Sequence, residues 1–290
     1  MASAVPVDRL NSGDHACLTF TDPEERLDIV AAFVAGGIDQ GDKIICYTDS
    51  IEVDELSRQL LDREVPVAGP LEQGRLTVVR SERAWSASGR PDATEMIDHL
   101  ADELARAGRE GYPGLRITAD MCWAIRPQAG AEQLLSFESE VGKLFAEGRL
   151  TAICQYDRQN FDPVTLAFAA RVHPRTVAAT VYHEDPVLRI CRQHVPPGVR
   201  VAGELDYTRA GALSDALAEA VRLDRDVHLN LNDLRFIDAG AASVILHAAA
   251  NLPAPRRMFV ICQEPIDRTL TLAGASDVPE LRMLVRHGER

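Results

Sequence analysis

The chain has 290 residues, 46% of them apolar and 26% charged, which is enough length for two domains that each bury a core. Its formal net charge of −13 argues against nucleic acid or anionic membrane as the main partner, because those surfaces call for a basic footprint. No apolar run approaches a membrane span, the N-terminus lacks the apolar core of a signal peptide, and the six cysteines are scattered without a CxxC pair; a reducing, cytoplasmic protein without structural zinc is expected.

In chain order, His15 to Phe20 reads as a strand. Asp22-Pro23-Glu24-Glu25 follows as a helix start, with Asp22 as N-cap and Pro23 at the first helical position. The helix is predicted over Arg26 to Ala35, with Gly36-Gly37 marking its end region. Lys43 to Thr48 is a strand, and Asp49-Ser50 opens a helix through Leu61. After a short strand, Leu76 to Val79, comes an amphipathic helix from Asp92 to Ala107 carrying Met96, Ile97, Leu100 and Leu104 at helical spacing. Leu115 to Thr118 is a strand ending in Ala119-Asp120-Met121-Cys122-Trp123. Glu132 to Glu147 is helical, Leu150 to Tyr156 a strand, and Phe161 to Ala170 a helix stopped by His173-Pro174. Strands alternating with helices predict a parallel sheet with helices on both faces.

A second domain starts near Val187, after Glu184-Asp185-Pro186. Two strands, Leu188 to Cys191 and Val199 to Ala202, are joined through Pro196-Pro197-Gly198. Gly203-Glu204-Leu205-Asp206 leads into a helix, Arg209 to Val221. A strand from Leu229 to Leu234 then reaches the turn Asp238-Ala239-Gly240 and a helix of small and aliphatic residues ending at Ala250. Met258 to Cys262 is the next strand, and Ile266 to Ala273 and Val278 to Val285 complete the domain.

The pieces GDHACLTFTDPEER, FVAGGIDQGDKIICYTDS, RITADMCW and AICQYDRQNFDP followed by HP resemble the DcmR-type sensory family called MEDS, and more distantly the RecA-like core of the KaiC-type ATPases. The GELD and FIDAG turns, in the order β-β-α-β-α-β-α, resemble the STAS domain of bacterial anti-sigma factor antagonists. The expected fold is therefore α/β: a RecA-like parallel-sheet domain with a degenerate P-loop at 1–176, a linker at 177–186, and an α/β STAS domain at 187–290.

Where a phosphate-binding loop would follow the first strand, the chain has Thr21-Asp22-Pro23-Glu24-Glu25, whose carboxylates repel a triphosphate and whose proline removes an N–H donor. Asp120 stands at the Walker B-like position and is expected to be structural or ligand-orienting. Ligands of a parallel sheet belong beyond the carboxyl ends of its strands, a rule that gathers Phe20, Tyr47, Thr48, Asp120, Trp123, Tyr156 and Arg158 near one rim. An aromatic-lined pocket there suits a small, mostly apolar ligand, and the MEDS resemblance implies a hydrocarbon-like effector. The candidate ligand-binding residues are His15, Tyr47, Asp120, Trp123, Tyr156 and Arg158. His15 and Cys17 share a strand face, but without further spaced ligands packing is expected there rather than a metal.

The STAS resemblance implies that the second small residue of the turn is the phosphoacceptor. Here Gly240 occupies it, so the acceptor hydroxyl is missing. Asp238, Ala239, Gly240, Ala241, Ala242 and Ser243 are the expected partner-binding residues, docking on an anti-sigma factor of the serine-kinase fold. Ser243 is expected to bond back to a carbonyl, and Thr208 to cap a helix. The competing reading is a small-molecule sensor whose STAS domain serves self-association or a non-sigma complex; a third is a degenerate nucleotide binder. With no nucleophile elbow, HExxH or dinucleotide loop, no catalytic residue and no cofactor are expected.

Overall fold

The computed structural model describes residues 3–85, 89–127 and 129–286, and the chain divides into two units, Met1–Ala178 and Ala179–Arg290. In the first unit, β1 (Ser3–Val5), β2 (His15–Phe20), β3 (Lys43–Thr48), β4 (Leu76–Arg80), β5 (Leu115–Asp120), β6 (Leu150–Asp157) and β7 (Arg175–Val177) form one sheet in the order β1-β7-β2-β6-β5-β3-β4. Every pairing is parallel. Parallel neighbours need crossovers, and the helices α1 (Pro23–Gln40), α2 (Val53–Asp62), α3 (Ala68–Glu72), α4 (Ala93–Arg109), α5 (Ala131–Glu140) and α6 (Pro163–Val172) lie along them. All of β3, and β6 up to Tyr156, are buried, as strands covered on both faces must be.

Side-chain alternation sorts the core into two layers. Ala16, Leu18 and Phe20 of β2 pack with Ile153, Ile29 and Phe33 on the α1 side. Cys17, Ile117, Ala152 and Cys154 join Met96 and Leu100 of α4 and Leu134 and Phe137 of α5 on the other. Three boundaries differ from the sequence reading. Helix α1 continues through Gly36-Gly37 and stops at Gly41, which adopts the left-handed conformation (φ 81°). Asp49 and Ser50 do not start α2, because Arg126 and Asp120 engage them. The helix expected up to Glu147 becomes α5 followed by a 3-10 segment, Val141–Phe145.

The second unit contains β8 (Val181–Glu184), β9 (Leu188–Gln193), β10 (Gly198–Leu205), β11 (Val227–Leu231), β12 (Leu234–Ile237), β13 (Met258–Gln263) and β14 (Leu281–Arg286). The sheet runs β14-β13-β11-β10-β9-β8, with β12 pairing the far end of β10. Helices α7 (Ala210–Leu223), α8 (Ala239–Ala250) and α9 (Glu264–Leu272) complete a core that includes Val201, Leu217, Leu229, Ile245 and Val260. The stretch 177–186, expected as linker, holds Val177 of β7 and the whole of β8, which pairs antiparallel with β9. Asp185 closes that hairpin by accepting from the N–H groups of Val187 and Leu188 at 2.9 and 2.8 Å. The strand expected at 229–234 splits into β11 and β12 around Asn232-Asp233, and β14 is a strand that the sequence left without a type.

Gly37 explains the continuation of α1. A Cβ there would lie 2.7 Å from Cδ of Arg116 and 2.9 Å from Cδ1 of Ile44. Arg116 cannot easily retreat, since Nε donates to Asp42 at 2.9 Å and Nη1 to the Phe33 carbonyl at 3.2 Å. Helix propensity alone would make Gly37→Ala stabilising by about 1 kcal/mol, whereas overpacking costs about 1–3 kcal/mol. A net loss is expected, read as a lower urea midpoint; a gain would show that Arg116 yields.

Candidate functional site

On the α4–α5 side of the first sheet lies a partly open cavity of about 40 Å³. Ile117, Leu150 and Ala152 of the strands, Met96 and Leu100 of α4 and Phe137 of α5 make most of its wall apolar. Of the predicted ligand residues, His15, Tyr47, Asp120 and Trp123 border it. Trp123 meets Phe137 edge-on, with ring centroids 6.3 Å apart. The Tyr47 hydroxyl pairs with Nε2 of His99 at 3.0 Å, and burial pushes its phenol well above the ordinary range.

The other rim residues go elsewhere. Tyr156 is fully buried with its hydroxyl on Oε1 of Glu138, and Arg158 is exposed. Phe20 packs on the α1 side under the Arg26 guanidinium, and the Thr48 hydroxyl donates to the Ile51 carbonyl at 2.6 Å. The cavity lies against the face of the sheet and reaches past the carboxyl ends of β4 and β5, where Ser81, Ala84, Met121 and Trp123 line it. Phe20, Thr48 and Tyr156 stay out of it because their side chains find partners elsewhere.

Asp120 borders the cavity, but its carboxylate is fully engaged. Oδ2 accepts from Arg26 at 2.8 Å and from the Ser50 N–H and hydroxyl at 2.8 and 2.5 Å, while Oδ1 accepts from the Cys122 N–H at 3.0 Å. Arg26 also donates to Gln155 at 2.6 Å, and Gln155 to Thr118 at 2.5 Å. Burial would raise the Asp120 pKa, yet the Arg26 charge and the Ser50 bonds outweigh it and hold the carboxyl at about 2. Where an ATPase presents bare N–H groups to phosphate, Asp22 covers those of Glu24 and Glu25 at 2.9 and 3.2 Å. A side-chain carboxylate sits where the anion would bind.

A second cluster escaped the sequence reading. His15, Glu138, Cys154 and His173 are all buried, and one donor atom from each lies within 4.8 Å of the others. The expected His15–Cys17 face is real, but the Cys17 thiol goes to the Thr176 hydroxyl (3.6 Å) and Cys154, across the strand pair, takes its place beside His15. All six cysteines are buried and none forms a disulfide, and burial pushes Cys46 up to about 12.

In the second unit Asp238 is the N-cap of α8. Oδ1 accepts from the Ala241 N–H and Oδ2 from the Tyr207 N–H, both at 2.8 Å, so both oxygens tie the turn to the neighbouring loop. Ala239, Gly240 and Ser243 are exposed, and the Ser243 hydroxyl donates to the Ala239 carbonyl at 2.8 Å. Ala241 and Ala242 are buried in the core and present no surface to a partner, contrary to expectation, because the apolar side of a helix starts in its first turn. Thr208 is not a cap either: it donates to Asp206 at 2.5 Å in the turn before α7. A Cβ on Gly240 would lie 3.1 Å from Cβ of Tyr207, a residue that is 73% exposed. Ser243 also begins a groove of about 520 Å³ between α7 and α8, lined by Leu217, Val221, Val244 and Ala248.

The chain thus joins a parallel-sheet domain holding a mainly apolar cavity to an α/β domain with a capped strand-to-helix turn. The family described as "MEDS: MEthanogen/methylotroph, DcmR Sensory domain" matches residues 14–174, and the chain belongs to it. Residues 189–286 match "Mlab, STAS domain". The chain is similar to the transcriptional repressor DcmR of Methylorubrum extorquens, 24% identical over 166 residues that cover 56% of this chain and 59% of the repressor. The flagellar accessory protein FlaH of Methanocaldococcus jannaschii superposes with TM-score 0.46 at 9% identity, over 67% of this chain and 86% of FlaH. A KaiC-like protein of Pyrococcus horikoshii does so with TM-score 0.46 at 12% identity, over 70% and 87%. No described helix is long and apolar enough to cross a membrane.

Asp120→Ala leaves the buried Arg26 uncompensated and should cost about 3–5 kcal/mol of unfolding free energy. The carboxyl titrates at about 2 when folded and about 3.9 when unfolded, so its contribution is complete above pH ~4 and disappears as the pH falls through ~2. Urea midpoints measured down this range should converge for wild type and variant; a constant gap would show that the ion pair is not its source.

Proposed function

We propose that this is a cytoplasmic, non-catalytic regulator in which the MEDS domain takes up a small apolar effector and the STAS domain docks on an anti-sigma factor of the serine-kinase fold. The observation that carries the docking half is the N-terminus of α8. Gly240 is exposed at the position where the STAS resemblance puts the acceptor hydroxyl, on a turn whose shape Asp238 maintains. A phosphate there would gain from the helix dipole and would repel a partner surface. Glycine cannot carry one, so the docking surface stays permanently in the partner-competent form and control passes to the sensory domain. The exposed elements available to a partner are Tyr207, Ala239, Gly240 and Ser243 and the α7–α8 groove beside them.

The cavity supports the sensory half. Its largely apolar lining suits a small apolar ligand. That the relative DcmR is a transcriptional repressor supports a role in gene regulation.

A pull-down from the native cytoplasm tests docking. Wild type should recover an anti-sigma factor of the serine-kinase fold, and Gly240→Asp, which places a carboxylate beside Tyr207 and the Asp238 cap, should lose it while far-UV circular dichroism and melting temperature show the domain still folded. Failure of wild type to recover such a partner would overturn the docking half. For the sensory half, Ala152→Leu fills the cavity and should abolish the rise in melting temperature that a small saturated hydrocarbon gives with wild type. A rise retained in Ala152→Leu would place binding outside the cavity.

A further inference from the structure

His15 (β2), Cys154 (β6), Glu138 (α5) and His173 (the C-cap of α6) come from four separate elements and converge on one buried point. Nε2 of His15 lies 3.5 Å from Sγ of Cys154 and 3.7 Å from Oε2 of Glu138, and that oxygen lies 3.4 Å from Nε2 of His173. A tetrahedral zinc ion with bonds of about 2.0–2.3 Å holds its ligand atoms about 3.3–3.8 Å apart. These three spacings fall inside that range.

The hydrogen bonds aim each donor. Nδ1 of His173 is 2.8 Å from the Ala169 carbonyl, which can only accept, so Nδ1 carries the proton and Nε2 of the neutral ring offers a lone pair. Oε1 of Glu138 accepts the Tyr156 hydroxyl, leaving Oε2 to face the cluster. Both Nε2 of His173 and Oε2 of Glu138 are buried without a hydrogen-bond partner, although they are neighbours. Two lone pairs brought together in a dry interior repel and forgo their hydration, and a buried polar atom left this way calls for an explanation. A cation between them supplies one.

We propose that His15, Glu138, Cys154 and His173 bind a divalent transition-metal ion, with zinc the ion their geometry fits. Two neutral imidazoles, a carboxylate and a thiolate balance the 2+ charge, so the occupied site would bury no net charge, and the mixed nitrogen, oxygen and sulfur set matches a borderline-soft ion. The Ala169 carbonyl and the Tyr156 hydroxyl take the outer-shell part, fixing the imidazole tautomer and orienting the carboxylate. His15 and Cys154 also stand in the cavity wall, so the ion would lie beside the apolar space. The metal site does not depend on that space binding an effector.

The rival explanation is a proton held between Glu138 and His173, which would fill the gap without any metal. Titrating the full-length, chelator-treated chain with Co²⁺ separates the two. The expected result is saturation at about one equivalent, a thiolate-to-cobalt charge-transfer band with intense tetrahedral visible bands, and displacement by Zn²⁺. Cys154→Ser should lose the charge-transfer band, and Tyr156→Phe, which touches only the outer shell, should weaken binding roughly 10–100-fold. If Cys154→Ser does not fold, the wild-type spectrum still decides, because its charge-transfer band requires a thiolate ligand. Absence of saturable binding by wild type, a cobalt spectrum without the thiolate band, or an unchanged spectrum in Cys154→Ser would overturn the proposal.

Discussion

A sheet whose strands are all parallel must be covered on both faces, and every polar side chain on its central strands then has to find its partners inside the protein. This constraint organises the N-terminal domain. On the α1 side it is met in full: Arg26, Asp120, Ser50, Gln155 and Thr118 form one connected set of hydrogen bonds. On the α4–α5 side it is met only in part, because Glu138 and His173 keep one buried atom each without a hydrogen bond. The two polar groups of a single sheet therefore have different meanings. The saturated one is architecture, and the unsaturated one is where chemistry can enter.

In a phosphate-binding loop, free N–H groups at a helix start await an anion. In the N-terminal domain Asp22 offers its own carboxylate to the N–H groups of Glu24 and Glu25, and Asp120 is bound to Arg26. Both carboxylates serve internal support. An apolar cavity lies on the opposite face of the sheet, a setting suited to small uncharged molecules.

In the STAS domain the turn before α8 is held by Asp238, which caps the helix and grips Tyr207. Gly240 lets that loop approach closely, since a Cβ there would lie 3.1 Å from Cβ of Tyr207. Its neighbours Ala241 and Ala242 serve the core, whereas Tyr207, Ala239, Gly240 and Ser243 are exposed beside the α7–α8 groove.

Much of this was legible in the chain itself. Alternating apolar runs and helix-start signals such as Asp22-Pro23 and Asp92 are local, so they located the long strands and helices, and motifs such as FIDAG identified the second domain. Short strands were missed: β1, β7 and β8 have only three or four residues, too few to show a period, and they exist because a neighbouring strand offers hydrogen bonds. Gly36-Gly37 looked like a helix end because a glycine's local effect is to stop helices, whereas Arg116 and Ile44 need its missing Cβ. The sequence by itself determined the domain order, the acidic turn at Asp22 and the glycine at 240, since each is a matter of residue identity at a local motif. Only the tertiary structure decided which of the rim residues border the cavity and that His15, Glu138, Cys154 and His173 meet. Those four are scattered along the chain without ligand spacing, and what joins them is parallel strand pairing and the docking of α5 and α6, which no local pattern encodes.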